Sequence, residues 1–164
     1  DLGGVVNVVQ IHVLADEETG EITNLVIRRA GLEALQGIFR DELGLHGTEL
    51  QRKLMDYAAR ERGLDNYITP QDCIRLFDCV RTLPEDDRAV VDEMLSVNQD
   101  DLLLRRNLPR DTLDFYHKTG SLSGLLHDWG YTREAEIFLL TERVQDEPAA
   151  FETFGELGRL LFKP

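Results

Sequence analysis

A chain of 164 residues with 42% apolar and 30% charged side chains has the size and composition of one globular domain, residues 1–164, rather than a disordered tail. Such a domain buries roughly 70% of the surface its unfolded chain exposes, so its core requires neither disulfides nor a structural metal. The formal charge of −13, from 18 Lys and Arg against 31 Asp and Glu, repels phosphate backbones and anionic headgroups and argues against nucleic acid as a partner.

In chain order, Val5 to Leu14 is rich in β-branched residues and reads as a strand by propensity, with a buried helix of the same content as the alternative. Within it Val8 to Ala15 is the longest apolar run, interrupted by Gln10 and His12. It is far shorter than the roughly 20 residues of a membrane span and lacks the flanks of a signal peptide. Because the sequence starts at Asp1 without Met, it is expected to be a mature or excised piece. Asp16-Glu17-Glu18 is spaced for neither a glycosidase pair nor a calcium loop and reads as a solvated turn.

From Thr23 to Leu43, Leu25, Val26, Leu32, Leu35, Ile38, Phe39 and Leu43 recur at helical spacing, with a break at Gly31 and a C′ stop at Gly44. Leu45 to Thr69 reads as a long ordered connection with a helical turn or two between Glu49 and Arg62, of the kind that lines sites. Thr69-Pro70 supplies an N-cap and a proline at N1 for a helix whose apolar face is Ile74, Leu76, Phe77 and Val80 and which ends at Thr82 to Pro84. A further helix is predicted from about Pro84 to Val97, and a short one from Asp100 to Asn107. After Asp111 the period turns strand-like. Phe115 to Ser121, His127 to Arg133 and Ile137 to Arg143 read as three antiparallel strands, and Pro148 to Phe162 as a closing helix with Phe151, Phe154, Leu157, Leu160 and Leu161 inward. The fold class is α+β: helices, then a small sheet covered by the last helix, with one N-terminal strand as a possible addition.

Few residues carry chemistry. Cys73 and Cys79 lie six apart on one helix, point in different directions and stay thiols; beside Asp72 and Asp78 they are structural rather than nucleophilic. His12, His46, His117 and His127 are scattered, with no zinc spacing, and no cofactor is expected. His12 reads as a core or interface residue and Trp129 as a half-buried sheet residue.

The informative stretch is Tyr116-His117-Lys118-Thr119-Gly120-Ser121-Leu122-Ser123-Gly124 with His127-Asp128-Trp129-Gly130. Lys-Thr-Gly on a strand edge is expected to put an ammonium and a hydroxyl on one side of the backbone, while the glycine admits a carboxylate and the next N–H aims at an oxyanion. For the tripeptide alone, a strand that happens to contain it is an equally good reading. In its context it resembles the Lys-Thr-Gly region of the serine β-lactamase and penicillin-binding-protein superfamily, above all the class A-like serine hydrolases. Thr23 to Ile27 with Gly31 to Leu35 resembles that family's helix pair after the Ser-Asp-Asn loop. Leu43-Gly44-Leu45 resembles the turn that follows, and Leu50 to Asp56, Asn66 and Thr69 to Asp72 resemble the Ω-loop and the helix after it. The resemblance runs from about Thr23 to the C-terminus and covers the second half of the usual domain.

The resemblance implies that Lys118 supplies the field for a substrate carboxylate, that Thr119 hydrogen-bonds it, that Gly120 leaves room for it, and that the Ser121 N–H is one of two oxyanion donors; His127 and Asp128 fix the next strand turn. The ligand it implies is a β-lactam antibiotic or a peptide carboxylate of D-Ala-D-Ala type, and the family is often secreted or periplasmic. The sequence departs from the pattern where the chemistry begins. Its serines are Ser96, Ser121 and Ser123 and its lysines Lys53, Lys118 and Lys163, so no Ser-x-x-Lys exists in it. Glu18-Thr19-Gly20 falls where Ser-Asp-Asn belongs. Leu54 falls where a deacylating glutamate belongs, and the flanking Glu49 and Asp56 read as solvated charges. Three functional readings follow: a C-terminal portion of a serine hydrolase, inactive by itself, whose Ser-x-x-Lys half was lost, cleaved or lies on a complementing N-terminal chain; a non-catalytic relative binding carboxylates; or a structural or protein-interaction domain whose Val5 to Leu14 segment pairs with another protein or a second copy of itself.

Overall fold

The computed structural model describes residues 6–7, 18–98, 100–109 and 114–162. They fall into two compact units divided inside one helix, after Val91.

The first unit is helical. Helix α1 (Glu18–Ala30) and helix α2 (Leu32–Gly37) are separated by Gly31, whose φ of +89° is open to glycine and strained for other residues. Ile38–Glu42 closes as a π-helical turn, with the Leu43 N–H donating to the Ile38 carbonyl. Gly44, at φ +67°, then ends the run as predicted, and the Leu45 N–H returns to the Phe39 carbonyl. Helix α4 (Pro70–Arg81) starts where the Thr69-Pro70 signal puts it, the Thr69 hydroxyl accepting from the Asp72 N–H at 3.1 Å. Helix α5 (Glu85–Ser96) follows. Of the predicted N-terminal strand, Val6–Asn7 (β1) is described and pairs antiparallel with Tyr67–Ile68 (β2); Val5 and residues 8–14 lie outside the described residues.

The connection between α2 and α4 contains one short helix, α3 (Tyr57–Glu61), N-capped by Asp56. Polar pins give it its order. The Asn24 amide holds Leu54 by both backbone groups, at 2.8 and 3.0 Å. Gln36 bonds the Thr48 carbonyl and the Leu50 N–H. Asn66 Oδ1 accepts from the Gln51 and Arg52 N–H groups, and a buried Arg52–Asp65 ion pair at 2.7 Å, joined by Arg60, closes the loop at its base. Buried Asp72 accepts from the Gly47 N–H and the Thr48 hydroxyl, fastening the loop to the first turn of α4.

The second unit is a three-stranded antiparallel meander, β3 (Tyr116–Leu122), β4 (Leu125–Tyr131) and β5 (Glu136–Leu140), with helix α6 (Glu147–Leu161). Leu103, Leu104, Phe115, Leu126 and Phe154 form its core. Ser123-Gly124 turns β3 into β4, Gly124 taking φ +76°. Close approach depends on Gly158, where a Cβ would stand 1.9 Å from the Leu104 carbonyl oxygen, and on Gly130, where one would stand 2.3 Å from that of Tyr116.

Two expectations are corrected. Residues 100–107 form turns rather than a helix, because side chains capture the N–H groups: Asn98 Oδ1 takes that of Asp100, Asp100 Oδ1 that of Leu102, and Asp128 Oδ2 that of Leu104. Leu160 and Leu161 are exposed, since α6 packs through Phe151, Phe154, Gly155 and Gly158, and Phe162 just beyond it packs on Phe115.

Candidate functional site

Strand β3 carries all four residues singled out above. It pairs with β4 in a register of Lys118 opposite Trp129, Thr119 opposite Asp128 and Gly120 opposite His127; in the order β3-β4-β5 it is an edge strand. Alternation along the strand corrects one expectation. Thr119 lies on the face of His117 and Asp128, while Lys118 lies on the opposite face with Trp129, so the ammonium and hydroxyl stems leave opposite sides of the sheet.

The Lys118 ammonium returns to the edge of the strand. The His117 carbonyl accepts from Asn98 Nδ2 at 3.2 Å, and the Thr119 carbonyl accepts from Lys118 Nζ, which curls back over the strand. Backbone groups of the same parity point the same way, which turns the Ser121 N–H to that edge as well. Lys118, Thr119 and Gly120 are buried, with Lys118 only 5% exposed, whereas Ser121 is open to solvent.

A buried ammonium usually sits against a carboxylate. Among the described residues none lies within ion-pair distance of Lys118. Burial pushes its pKa down to about 8, against the opposing fields of Asp100 and Asp128. Asp128 is itself fully buried and shifted upward by that burial. It is held by His117 Nδ1 at 2.8 Å and the Leu104 N–H at 3.0 Å, and the His117 ring stacks on Phe115. Thus Asp128 ties β3, β4 and the preceding turn together behind Thr119.

The other candidates are placed as follows. Glu18, Thr19 and Gly20 form the first turn of α1. Leu54 is buried, Asp56 is spent capping α3, and Glu49 receives the Gln51 amide. Cys73 is buried and its thiol pushed up to about 12 by desolvation and by Asp72, which leaves it protonated and unreactive. His127 Nδ1 meets the Thr141 N–H at 3.1 Å. His12, Asp16 and Glu17 lie outside the described residues. A depression of about 400 Å³, lined by Asn107, Leu108, Pro109, Glu156, Arg159, Leu160 and Phe162, involves none of the β3 residues. No helix among the described residues is long and apolar enough to cross a membrane.

Sequence reasoning missed Asn24, Arg52, Asp65, Asn98 and Asp100. Asn24 and Asn98 bond other elements, while Arg52 meets Asp65 across 13 residues of one connection and Asp100 is held within its own turn; the one available signal was polar residues inside otherwise helical or loop patterns.

The sequence profile of the β-lactamase enzyme family matches residues 22–163. The chain belongs to that family. Among solved structures, a β-lactamase from Sphaerobacter thermophilus superposes with a TM-score of 0.69 at 24% identity, over 89% of this chain and 60% of that one. The structure of PBP-A gives 0.68 at 20% identity over 92% and 57%, and TLA-3 extended-spectrum β-lactamase gives 0.65 at 15% identity over 85% and 57%. At these identities the likeness is one of fold. The chain spans about 60% of the length of the first of these relatives. No curated protein matches. The α+β architecture, with a three-stranded antiparallel sheet and a terminal helix, is the one the change of period after Asp111 predicts.

Proposed function

We propose that this chain carries the anion-binding wall of a β-lactamase-like serine hydrolase and that by itself it binds a carboxylate without turning it over. The observation that carries this reading is the Lys118 ammonium, buried on an outer strand of the sheet with no carboxylate of the described residues in ion-pair distance. An anionic ligand would supply the missing partner. Lys118 would attract a carboxylate, the Thr119 hydroxyl would donate to it, Gly120 would admit it, and the Ser121 N–H would donate to an oxyanion developing at the adjacent carbonyl. The ligand class is a β-lactam or a peptide ending in a D-Ala-D-Ala-like carboxylate.

Acyl transfer needs an activated nucleophile, and this sequence has no Ser-x-x-Lys, nor a carboxylate at Leu54 to activate water. For the hydrolase reading, the nucleophile comes from a complementing segment or chain. For the alternative of a non-catalytic carboxylate-binding or interaction module, it has no role. The purified chain is expected to leave nitrocefin intact and to resist labelling by fluorescent penicillin, yet to be stabilised by N-acetyl-D-alanyl-D-alanine in a thermal-shift titration. Ligand at 100 times its Kd stabilises by about 2.7 kcal/mol. Saturable covalent labelling would contradict the inactive assignment, and a thermal shift that survives both Lys118→Ala and Thr119→Ala would remove the anion wall.

A further inference from the structure

A buried ammonium without an ion-pair partner needs some negative charge to remain an ammonium. The carboxylates whose fields reach Lys118 are Asp100 and Asp128. Of the other polar groups nearby, Asp101 lies 3.7 Å from the Arg105 guanidinium, His117 is bonded to Asp128, and His127 to the Thr141 N–H. Asp128 is committed to His117 and the Leu104 N–H on the face of the sheet opposite Lys118, and burial pushes its pKa up. Asp100 is half-exposed, and among the hydrogen bonds of the turn its side chain accepts only a backbone N–H.

The position of Asp100 is fixed. Asn98 uses its two amide atoms in two directions: Nδ2 donates to the His117 carbonyl on the side of β3 away from β4, and Oδ1 accepts from the Asp100 N–H at 3.1 Å. Asp100 Oδ1 in turn accepts from the Leu102 N–H at 3.1 Å. A single side chain therefore pins the turn that carries Asp100 to the residue immediately before Lys118.

We propose that Asp100 is a positioning residue for Lys118: held beside β3 by Asn98, its carboxylate is the standing counter-charge that keeps the buried ammonium protonated without occupying its donors. The separation is what makes this useful. A carboxylate in contact would cap the ammonium, whereas one beyond 4 Å leaves it charged and open to a ligand anion. That consequence for binding rests on the function proposed above; the counter-charge role does not.

The test is a titration of Lys118 in the full chain. With lysines only at 53, 118 and 163, lysine labelled at Cε and Nζ gives three NMR signals, assigned by single Lys→Arg variants. The Lys118 midpoint near pH 8 is expected to fall by roughly one unit in Asp100→Asn, and by less in Asn98→Ala, where the turn is released but the charge remains. Asp100→Glu should restore most of the shift, and Glu134→Gln, in the turn after β4, should leave it in place. An unchanged midpoint in both Asp100→Asn and Asn98→Ala overturns the proposal, and either variant suffices if the other fails to fold. The titration uses no ligand. A shifted midpoint in a protein that does not bind N-acetyl-D-alanyl-D-alanine keeps Asp100 in its role and removes the carboxylate reading. Unchanged midpoints with intact, Lys118-dependent binding do the reverse.

Discussion

Lys118 has a measurable linkage of its own. In the unfolded chain a lysine keeps its proton to about 10.5; in the folded protein Lys118 releases it near 8. Between those values the unfolded state binds more protons, so stability rises with pH, and below pH 8 the cost of burying the charge is fully present. Lys118→Met is therefore expected to be stabilising relative to the wild type below pH 8, by at most about 3 kcal/mol, with the difference shrinking toward pH 10.5. Urea denaturation of both proteins across that range checks it, and a difference independent of pH would contradict the burial of the ammonium. The same titration limits ligand capture, because a neutral amine offers a carboxylate no charge.

Arg52 permits a contrast at the same scale. Its ion pair with Asp65 is nearly inaccessible, so Arg52→Met leaves Asp65 short of a buried partner, with half-buried Arg60 remaining. The expected loss is about 3 kcal/mol. Arg40→Met breaks an ion pair exposed on both sides and is expected to leave the thermal midpoint unmoved. Equal effects of the two variants in thermal denaturation would contradict the claim that the buried pair closes the 45–69 loop.

At the scale of elements, what was legible in the sequence was what is decided locally. Thr69-Pro70 marks the start of α4, Gly31 and Gly44 the break and the stop, and the change of period after Asp111 the sheet, because caps, positive φ and alternation act within a few residues. The turns at 100–107 were not legible as such. Their sequence supports a helix, and what defeats it is the capture of the Leu104 N–H by Asp128, 24 residues away, together with the side chains of Asn98 and Asp100. The order of the 45–69 loop was legible as length and not as cause, since Asn24 and Gln36, which pin it, sit on preceding helices. Within the candidate site, Lys118 to Ser121 could be proposed because a strand with that tripeptide resembles a known family. Asp100 and Asn98 could not, because their importance lies in a carbonyl on another element.

Helix α6 supplies the element-scale prediction. Its contact with the 103–107 turns needs Gly158, where a Cβ would meet backbone rather than a movable side chain, so Gly158→Ala is expected to destabilise by about 2–3 kcal/mol. Gly37→Ala, in α2, where the added Cβ meets nothing within 4 Å, is the control and is expected to be neutral or mildly stabilising. Comparable losses in both variants on urea denaturation would contradict the close packing of α6.

For the molecule as a whole, the charge of −13 dominates. Like charges repel more strongly in the compact state than in the expanded one, so screening favours folding. Raising sodium chloride from about 10 mM, where the screening length is roughly 30 Å, to about 150 mM, where it is roughly 8 Å, is expected to raise the thermal midpoint. A midpoint that falls over the same range would mean that the acidic residues are stabilised by attractive pairs rather than merely tolerated. The same field works against an incoming anion, which makes the buried ammonium of β3, without an ion-pair partner among the described residues, the feature on which the functional reading depends.

The most direct measurement is isothermal titration calorimetry of N-acetyl-D-alanyl-D-alanine against the wild type and Lys118→Ala at pH 7 and pH 9.5. Saturable heat is expected for the wild type at pH 7, weakened at pH 9.5 and absent at both values in the variant. Equal binding by wild type and variant at pH 7, or no binding by the wild type, would contradict the carboxylate reading.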